Sequence, residues 1–435
     1  MAKYTPHTEN DVSEMLSVLG KENIDELFED VPGNIRLKSL NMDGGLSQFS
    51  VMEYMKKLAG MNKRFDVVLR GAGAYDHYIP PVVTSLVSRG EFLTAYTPYQ
   101  AEISQGVLQS IFEYQTLMCR LTGMDVSNAS VYDGASAAAE AMTMCCDKKK
   151  KVMLLGAINP MYIETIKTYA HASGIEVECV GDKEGLIDFE KAGQKIDETY
   201  AAVFSQSPNY YGLIEDSERV AALAGSVKAR FVYIFNPVAA MLLKTPAESG
   251  ADIAVGEGQP LGIPMNFGGP YLGIMTCKNE MIRRLPGRIV GETTDHEGRR
   301  AYVLTMQARE QHIRREKATS SVCSNEALCA LTATIYLSAM GSEFKNVAKQ
   351  CATKAHYLLK GLENTGRFRR VYKGEFFHEF VTESDASPDD INAALQAEGI
   401  LGGLKTEDGK MLWCVTEKPA VKELDKVIAI AGGVR

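Results

Sequence analysis

Apolar residues recur at helical spacing near the start of the chain: Val12, Met15, Leu16 and Leu19 follow Thr8-Glu9-Asn10-Asp11, and Gly20 ends the run. Threonine before acidic residues and glycine after the last apolar position are start and stop signals, so the pattern predicts a helix. A second, short helix is expected at Ile24 to Phe28, stopped near Pro32-Gly33, and a third from about Ser47 to Leu58. Residues 1–65 read as a helical, acidic arm.

From about Asp66 the pattern changes to short apolar runs alternating with amphipathic stretches. Strands are expected at Val152–Leu155, Glu176–Val180, Ala201–Phe204, Phe231–Phe235, Ile253–Val255 and Leu272–Thr276. Helices are expected at Ser104–Thr122, Ala135–Met144, Pro160–Ser173, Asp188–Lys195 and Ser217–Ala224. Such alternation predicts an α/β domain over 66–322, with a mostly parallel sheet covered on both faces. Asn159-Pro160 and Ser207-Pro208-Asn209 mark loops at strand ends, where open α/β sheets take ligands. Residues 323–435 follow as long helices (Asn325–Met340, Phe344–Thr365) and a small α/β domain. Its strands are expected at Phe376–Val381 and Met411–Cys414, and its helices at Pro388–Ala397 and Lys418–Ala431.

Composition narrows the class. The 435 residues are 45% hydrophobic and 23% charged, which excludes disorder, collagen and coiled coil as the main character. The formal net charge of −8 argues against nucleic acid or an anionic membrane as partner, since both need a concentrated basic face. The first residues carry no apolar core or cleavage site of a signal peptide. The best apolar stretch, Phe231 to Leu243, is interrupted by Asn236-Pro237 and is too short to span a bilayer. The nine cysteines are odd in number and irregularly spaced, without Cys-x-x-Cys. They read as reduced thiols of a cytoplasmic protein, and no histidine–cysteine cluster suggests a metal.

Four segments offer chemistry. Tyr132-Asp133-Gly134-Ala135-Ser136 opens into an alanine-rich helix. Free amide groups at such a helix start suit a phosphate, with Gly134 allowing close approach and Ser136 adding a hydroxyl; a helix merely packed on the sheet would look the same. Thr94 to Gly106 carries Tyr96, Tyr99, Gln100 and Glu102, a polar-aromatic density above what a capped turn needs. Arg309 to Ser321 is a charge run, ordinarily a solvated face, but it ends in Thr319-Ser320-Ser321 and can instead grip a phosphate or carboxylate. Gly256 to Gly273 is a long glycine- and proline-rich loop without lysine, histidine or serine. Outside these, His77 sits in a polar-aromatic turn, Ala74-Tyr75-Asp76-His77-Tyr78, suited to proton transfer or to a structural hydrogen bond.

Together these segments, with Asp125-Val126-Ser127-Asn128-Ala129-Ser130 and Ser207-Pro208-Asn209-Tyr210-Tyr211-Gly212, resemble the glycine cleavage system P-protein family, glycine dehydrogenase (decarboxylating, aminomethyl-transferring). The resemblance covers most of the chain. It implies the fold of type I pyridoxal 5'-phosphate (PLP) transferases, aspartate aminotransferase-like, with an active site near a subunit interface. It also implies decarboxylation of glycine, with PLP as electron sink, and transfer of the aminomethyl group to the lipoyl arm of H-protein, T-protein and L-protein being functionally linked. Length and motifs match the first, or α, subunit of the two-chain form, which pairs with a β subunit as α2β2.

The chain departs from the family's catalytic pattern. Where the PLP-bearing half has a His-Lys pair before a glycine-rich loop, this chain has Gly256-Glu257-Gly258-Gln259-Pro260, and neither Gln259 nor Pro260 forms an imine. At the strand end where an acid would meet the pyridine nitrogen stands Asn236, which is neutral. The resemblance therefore implies that PLP is held covalently by the β subunit. Tyr96, Tyr99, Gln100, Glu102 and His77 are then expected near the partner's site. Thr319, Ser320, Ser321, Ser136 and Gly134 are expected at a cofactor phosphate, and Arg314 and Arg315 at an anion or an interface pair. Two alternatives remain: a self-sufficient PLP-dependent decarboxylase or aldolase using Lys244, and a purely structural partner subunit.

Overall fold

The computed structural model describes residues 6–37, 39–322 and 326–434. The chain forms two units, divided between Lys63 and Arg64. The first holds the helices Glu9–Val18 and Gln48–Gly60 with a 3-10 turn at Ile24–Phe28. Thr8 and Asp11 cap the first helix reciprocally: the Thr8 hydroxyl accepts from the Asp11 amide, and the Asp11 carboxylate accepts from the Thr8 amide at 2.6 Å. Val18, Leu37, Met42, Phe49 and Met61 are exposed; Leu16 is buried singly, and no described residue of 6–63 joins a buried apolar cluster.

The second unit is built on a seven-stranded sheet. In chain order its strands are β1 (Val126–Ser127), β2 (Lys151–Leu155), β3 (Glu176–Val180), β4 (Tyr200–Ser207), β5 (Arg230–Phe235), β6 (Ile253–Glu257) and β7 (Gly273–Cys277). Their spatial order is β1-β7-β6-β5-β4-β2-β3. The pairs from β3 through β6 are parallel, while β7 runs antiparallel to both neighbours. From β2 the chain goes outward to β3 and then returns on the other side through β4, β5 and β6. The gap between the carboxyl ends of β2 and β4 is thus the topological switch point, where open α/β sheets leave a crevice.

Alternating side chains divide the two faces. Val152, Leu154, Phe204, Val232 and Ile234 join one core with the helices Gly134–Cys145 and Pro160–Ser173. Met153, Leu155, Val203, Phe231 and Tyr233 join the opposite core with Gln105–Thr122 and Ala327–Met340. The period of two in the strands produces this sorting. Ala137, Ala138, Ala139 and Ala141 are fully buried and bring the 134–145 helix close to the sheet.

The run Ala327–Asn364 is long and apolar enough by composition to cross a membrane. Its apolar residues serve as protein core instead: Ala330, Ala333, Tyr336, Phe344 and Cys351 in one cluster, Leu358, Leu359 and Leu362 in another. A second sheet of four antiparallel strands follows in the order Phe368–Arg370, Glu379–Ser384, Met411–Cys414, Leu404–Lys405. Buried Trp413 donates to the Thr382 hydroxyl at 2.9 Å across it.

Several elements differ from expectation. The strand expected at Phe376–Val381 lies at Glu379–Ser384, because Phe376 and Phe377 point into cores from a bridge and a turn. A hairpin, Ile289–Thr294 with Arg300–Thr305, was not expected at all. The charge run from Arg309 begins in a series of short helical turns over 307–317. Two helices begin later than expected, at Ala327 and Val421; Cys323 and Asn325 lie outside the described residues. The eight described cysteines are free thiols.

Candidate functional site

The crevice at the switch point is nearly full. Its cavity is about 30 Å³, lined among others by Tyr75, Asn159, Tyr162, Phe235, Asn236, Glu257, His378 and Glu379. That is room for a water molecule or so. Three side chains account for the closure.

Glu257, at the end of β6, turns its carboxylate onto the start of the 134–145 helix. One oxygen accepts from the Gly134 amide at 2.9 Å, the other from Gln259 at 2.8 Å and Leu272 at 3.1 Å. Burial pushes this carboxyl up to about 7, against the pull of the three amides. Gly134 is required by packing: a Cβ there would lie 2.0 Å from the Tyr162 hydroxyl oxygen and 2.9 Å from the Glu257 amide. Asp133 caps the same helix by accepting from Ser136 at 2.7 Å. Gly134 and Ser136 were expected at a phosphate. Their amides are instead taken by two carboxylates of this chain, which would repel one.

Gln259 is 2% exposed and satisfied on both sides. Its oxygen accepts from the Tyr75 amide at 2.9 Å, and its nitrogen donates to Tyr75 at 3.0 Å and Ile263 at 2.7 Å. The amide thus ties the loop after β6 to the loop 71–79. Asn236 accepts from the Val238 and Ala239 amides at 2.9 and 3.1 Å and caps the turn after β5. None of the cavity-lining residues is a lysine. These residues do not fit PLP: there is no amine, the helix start carries a carboxylate, and the crevice lacks the volume. Lys244 does not supply the amine either. Its side chain is 65% exposed at the surface and pairs with Glu218.

His77 also departs from its expected place. It is 5% exposed, inside the chain rather than at a partner-facing surface. Its Nδ1 meets Glu417 Oε2 at 2.7 Å, while Glu417 Oε1 accepts from the Tyr78 amide at 2.6 Å. The Cys351 thiol donates to the same carboxylate at 3.5 Å. Burial pushes Glu417 up, but the His77 and amide donors outweigh it and bring the carboxyl down to about 2. The ligand atoms of His77, Cys351 and Glu417 lie within 4.8 Å of one another, a grouping that sequence spacing gave no sign of. Hydrogen bonds centred on Glu417 account for it.

Tyr96, Tyr99, Gln100 and Glu102 lie together on an exposed segment between the helices Gly90–Leu93 and Gln105–Thr122. The segment has a firm base that sequence reading missed. Gln105 donates to Ala101 at 2.7 Å and to Tyr302 at 2.9 Å, and accepts from the Tyr302 amide at 2.8 Å. Tyr302 lies on the unexpected hairpin. The Tyr99 hydroxyl accepts from Arg288 at 3.1 Å. Beside the segment Leu93 and Ile103 are exposed, with Ile103 at 80%, and so is Tyr78 elsewhere in the chain.

Thr319, Ser320 and Ser321 line a separate cavity of about 400 Å³ with Glu140, Tyr169 and Arg315. Glu140 is buried, which pushes its carboxyl up to about 7, while the Ser320 hydroxyl donates to it. The hydroxyls therefore face an acid of their own chain. Arg314 is exposed and donates to the Ala308 carbonyl at 3.1 Å.

Residues 2–431 match the family model described as glycine cleavage system P-protein. A protein named probable glycine dehydrogenase (decarboxylating) subunit 1 from Desulforamulus reducens is 49% identical, over 99% of this chain and all of its own length. Its namesake from Carboxydothermus hydrogenoformans is 47% identical over the whole of both chains. The crystal structure of a glycine decarboxylase (P-protein) of the glycine cleavage system, in inhibitor-bound form, is 37% identical and covers all of both chains with a TM-score of 0.93. A sphingosine-1-phosphate lyase of Burkholderia pseudomallei has a TM-score of 0.66 at 15% identity, covering 92% of this chain and 94% of its own, a likeness of fold alone. The fold is that of type I PLP-dependent enzymes. On this sequence, geometry and likeness the chain belongs to the glycine cleavage system P-protein family.

Proposed function

We propose that this chain is the subunit of a two-chain glycine decarboxylase that carries no PLP of its own. Its relatives are named as first subunits, and a first subunit implies a second. The second chain would hold PLP, which supplies the electron sink for decarboxylation, and the pair would assemble as α2β2 and deliver the aminomethyl group to lipoylated H-protein. The observation that carries this reading is Gln259, an amide hydrogen-bonded three ways where an amine is needed, beside Glu257 seated on the helix start.

In this reading the chain works outward, through the segment 96–102. Gln105 holds that segment on the hairpin 289–305, so its exposed side chains are presented from a rigid base. Tyr96, Tyr99, Gln100 and Glu102 would contact the glycine and PLP of the second subunit. Docking would bury Tyr78, Leu93 and Ile103 and exclude water from that site. The exposed apolar residues of 6–63 would cover the same partner.

The chain is expressed alone and together with its second subunit. The pair should be yellow and exchange carbon dioxide with the glycine carboxyl; the single chain should be colourless and inactive. A single chain that binds PLP and decarboxylates glycine contradicts the proposal. Glu102→Gln and Tyr96→Phe separate a shared site from a merely structural subunit. Under the shared-site reading, complexes carrying either change assemble normally but turn over at least 10-fold more slowly.

A further inference from the structure

Arg288 is the most deeply buried lysine or arginine among the described residues. It is 2% exposed and stands among the largest fully buried side chains. Its Nη2 donates to the Tyr99 hydroxyl at 3.1 Å, and its guanidinium lies 5.2 Å from the centre of the Tyr99 ring. Nε and Nη1 have no hydrogen-bond partner, and no carboxylate pairs with it among the described residues. A guanidinium keeps its proton in proteins, so this is a buried, uncompensated positive charge.

The backbone fixes it there. The Arg288 carbonyl accepts from the Ala129 amide at 2.8 Å. Gly287 before it has a φ of +74°, and its carbonyl accepts from Arg309 at 2.7 Å. The side chain is therefore aimed by the fold, and a relaxed surface arginine would have found water. The ring covering it belongs to Tyr99, itself 60% exposed and part of the segment assigned above to the shared site. Rotation of that one side chain would release Nη2 from its hydrogen bond to the hydroxyl.

We infer that Arg288 is an anion-binding residue of this chain, completed when the second subunit docks, with Tyr99 as its cover. Nη2 forms a two-donor edge with Nε on one side and with Nη1 on the other, both unpaired, so once the Tyr99 hydroxyl leaves Nη2 an oxyanion with two accessible oxygens can accept from either edge. A carboxylate or a phosphate has that shape. The two sources at a glycine decarboxylase are the carboxylate of glycine and the phosphate of PLP. The inference rests on the shared-site reading of the preceding subsection.

The test uses the assembled two-subunit enzyme with Arg288→Gln and Arg288→Lys. Assembly is read by sedimentation, PLP affinity by absorbance after dialysis and titration, and glycine by its KM. The wild-type mass of complex is expected in both variants. A glycine KM raised at least 10-fold in Arg288→Gln, with PLP affinity unchanged, assigns the carboxylate. A PLP dissociation constant raised at least 10-fold assigns the phosphate. Arg288→Lys keeps the charge but loses the fork, and should shift the same parameter at least 5-fold; it decides the matter if Arg288→Gln does not fold. Both parameters within 2-fold of wild type would overturn the inference. So would loss of assembly in Arg288→Gln with assembly and both parameters normal in Arg288→Lys, which would make Arg288 an interface charge. Glu102→Gln and Tyr96→Phe run alongside. If they slow turnover while Arg288 variants do not, only this inference fails; if they too are silent, the shared-site reading fails with it.

Discussion

Four carboxyls set the acid behaviour of the large unit. Glu140, Glu215, Glu257 and Glu379 are each pushed up to about 7, chiefly by burial. Each then binds its proton more tightly folded than unfolded, where the ordinary value is 4.5. Their contribution to stability is fully present below about 4.5 and is lost as pH rises through about 7. Thermal stability should therefore fall between pH 5 and pH 8. Glu379 accepts from the Ala72 amide at 2.7 Å on one oxygen and from the Tyr75 hydroxyl at 2.9 Å on the other; a glutamine keeps the first bond through its oxygen and can donate its NH2 to the second, the hydroxyl turning to accept. Glu379→Gln should flatten the fall in Tm across this range; an unchanged slope would refute its part. Gln259 is tested differently. Gln259→Ala leaves the Tyr75 amide and the Ile263 carbonyl without partners and should cost about 2–4 kcal/mol in urea unfolding. Gln259→Lys should give no borohydride-stable PLP adduct, because Glu257 still occupies the helix start.

At the scale of elements, the segment 96–102 depends on Gln105. Gln105→Ala removes its bonds to Ala101 and Tyr302 and should cost about 1–3 kcal/mol. Amide exchange at 101–104 should quicken, and the assembled enzyme should slow without change in PLP content. Unaltered exchange there would show that the hairpin does not hold the segment. Gln105 and the hairpin are also where sequence reading failed, and for a physical reason. Ile289–Thr294 ends in exposed Glu292, Thr293 and Thr294 and lacks the apolar run that revealed β2, β4, β5 and β6; Arg300–Thr305 does carry such a run, Ala301 to Leu304, but it lies outside the strand–helix alternation and is only partly buried. The interior strands were legible because both their faces are buried. The reversal of β7 left no trace in its composition, since an antiparallel strand buried on both sides reads like a parallel one. The missing amine at Gln259 was plain in the sequence. The carboxylate of Glu257 on Gly134 was not, because the two residues are 123 positions apart and only the packing of β6 beside the helix joins them.

The whole molecule is a PLP-enzyme fold whose own crevice is shut and whose polar-aromatic segment faces outward. Glu257, Asn236 and Tyr162 line its narrow crevice, while exposed apolar residues flank the segment that carries Tyr96 and Glu102. Under the proposed reading, the chemistry of such a chain would lie at a surface that the second subunit completes. Borohydride reduction of the assembled two-subunit enzyme, followed by peptide mass analysis of both chains, tests this most directly. The account predicts a reduced pyridoxyl group on a lysine of the second subunit and none anywhere on this chain. A pyridoxyl-lysine peptide from this chain, whether at Lys244 or elsewhere, would contradict it.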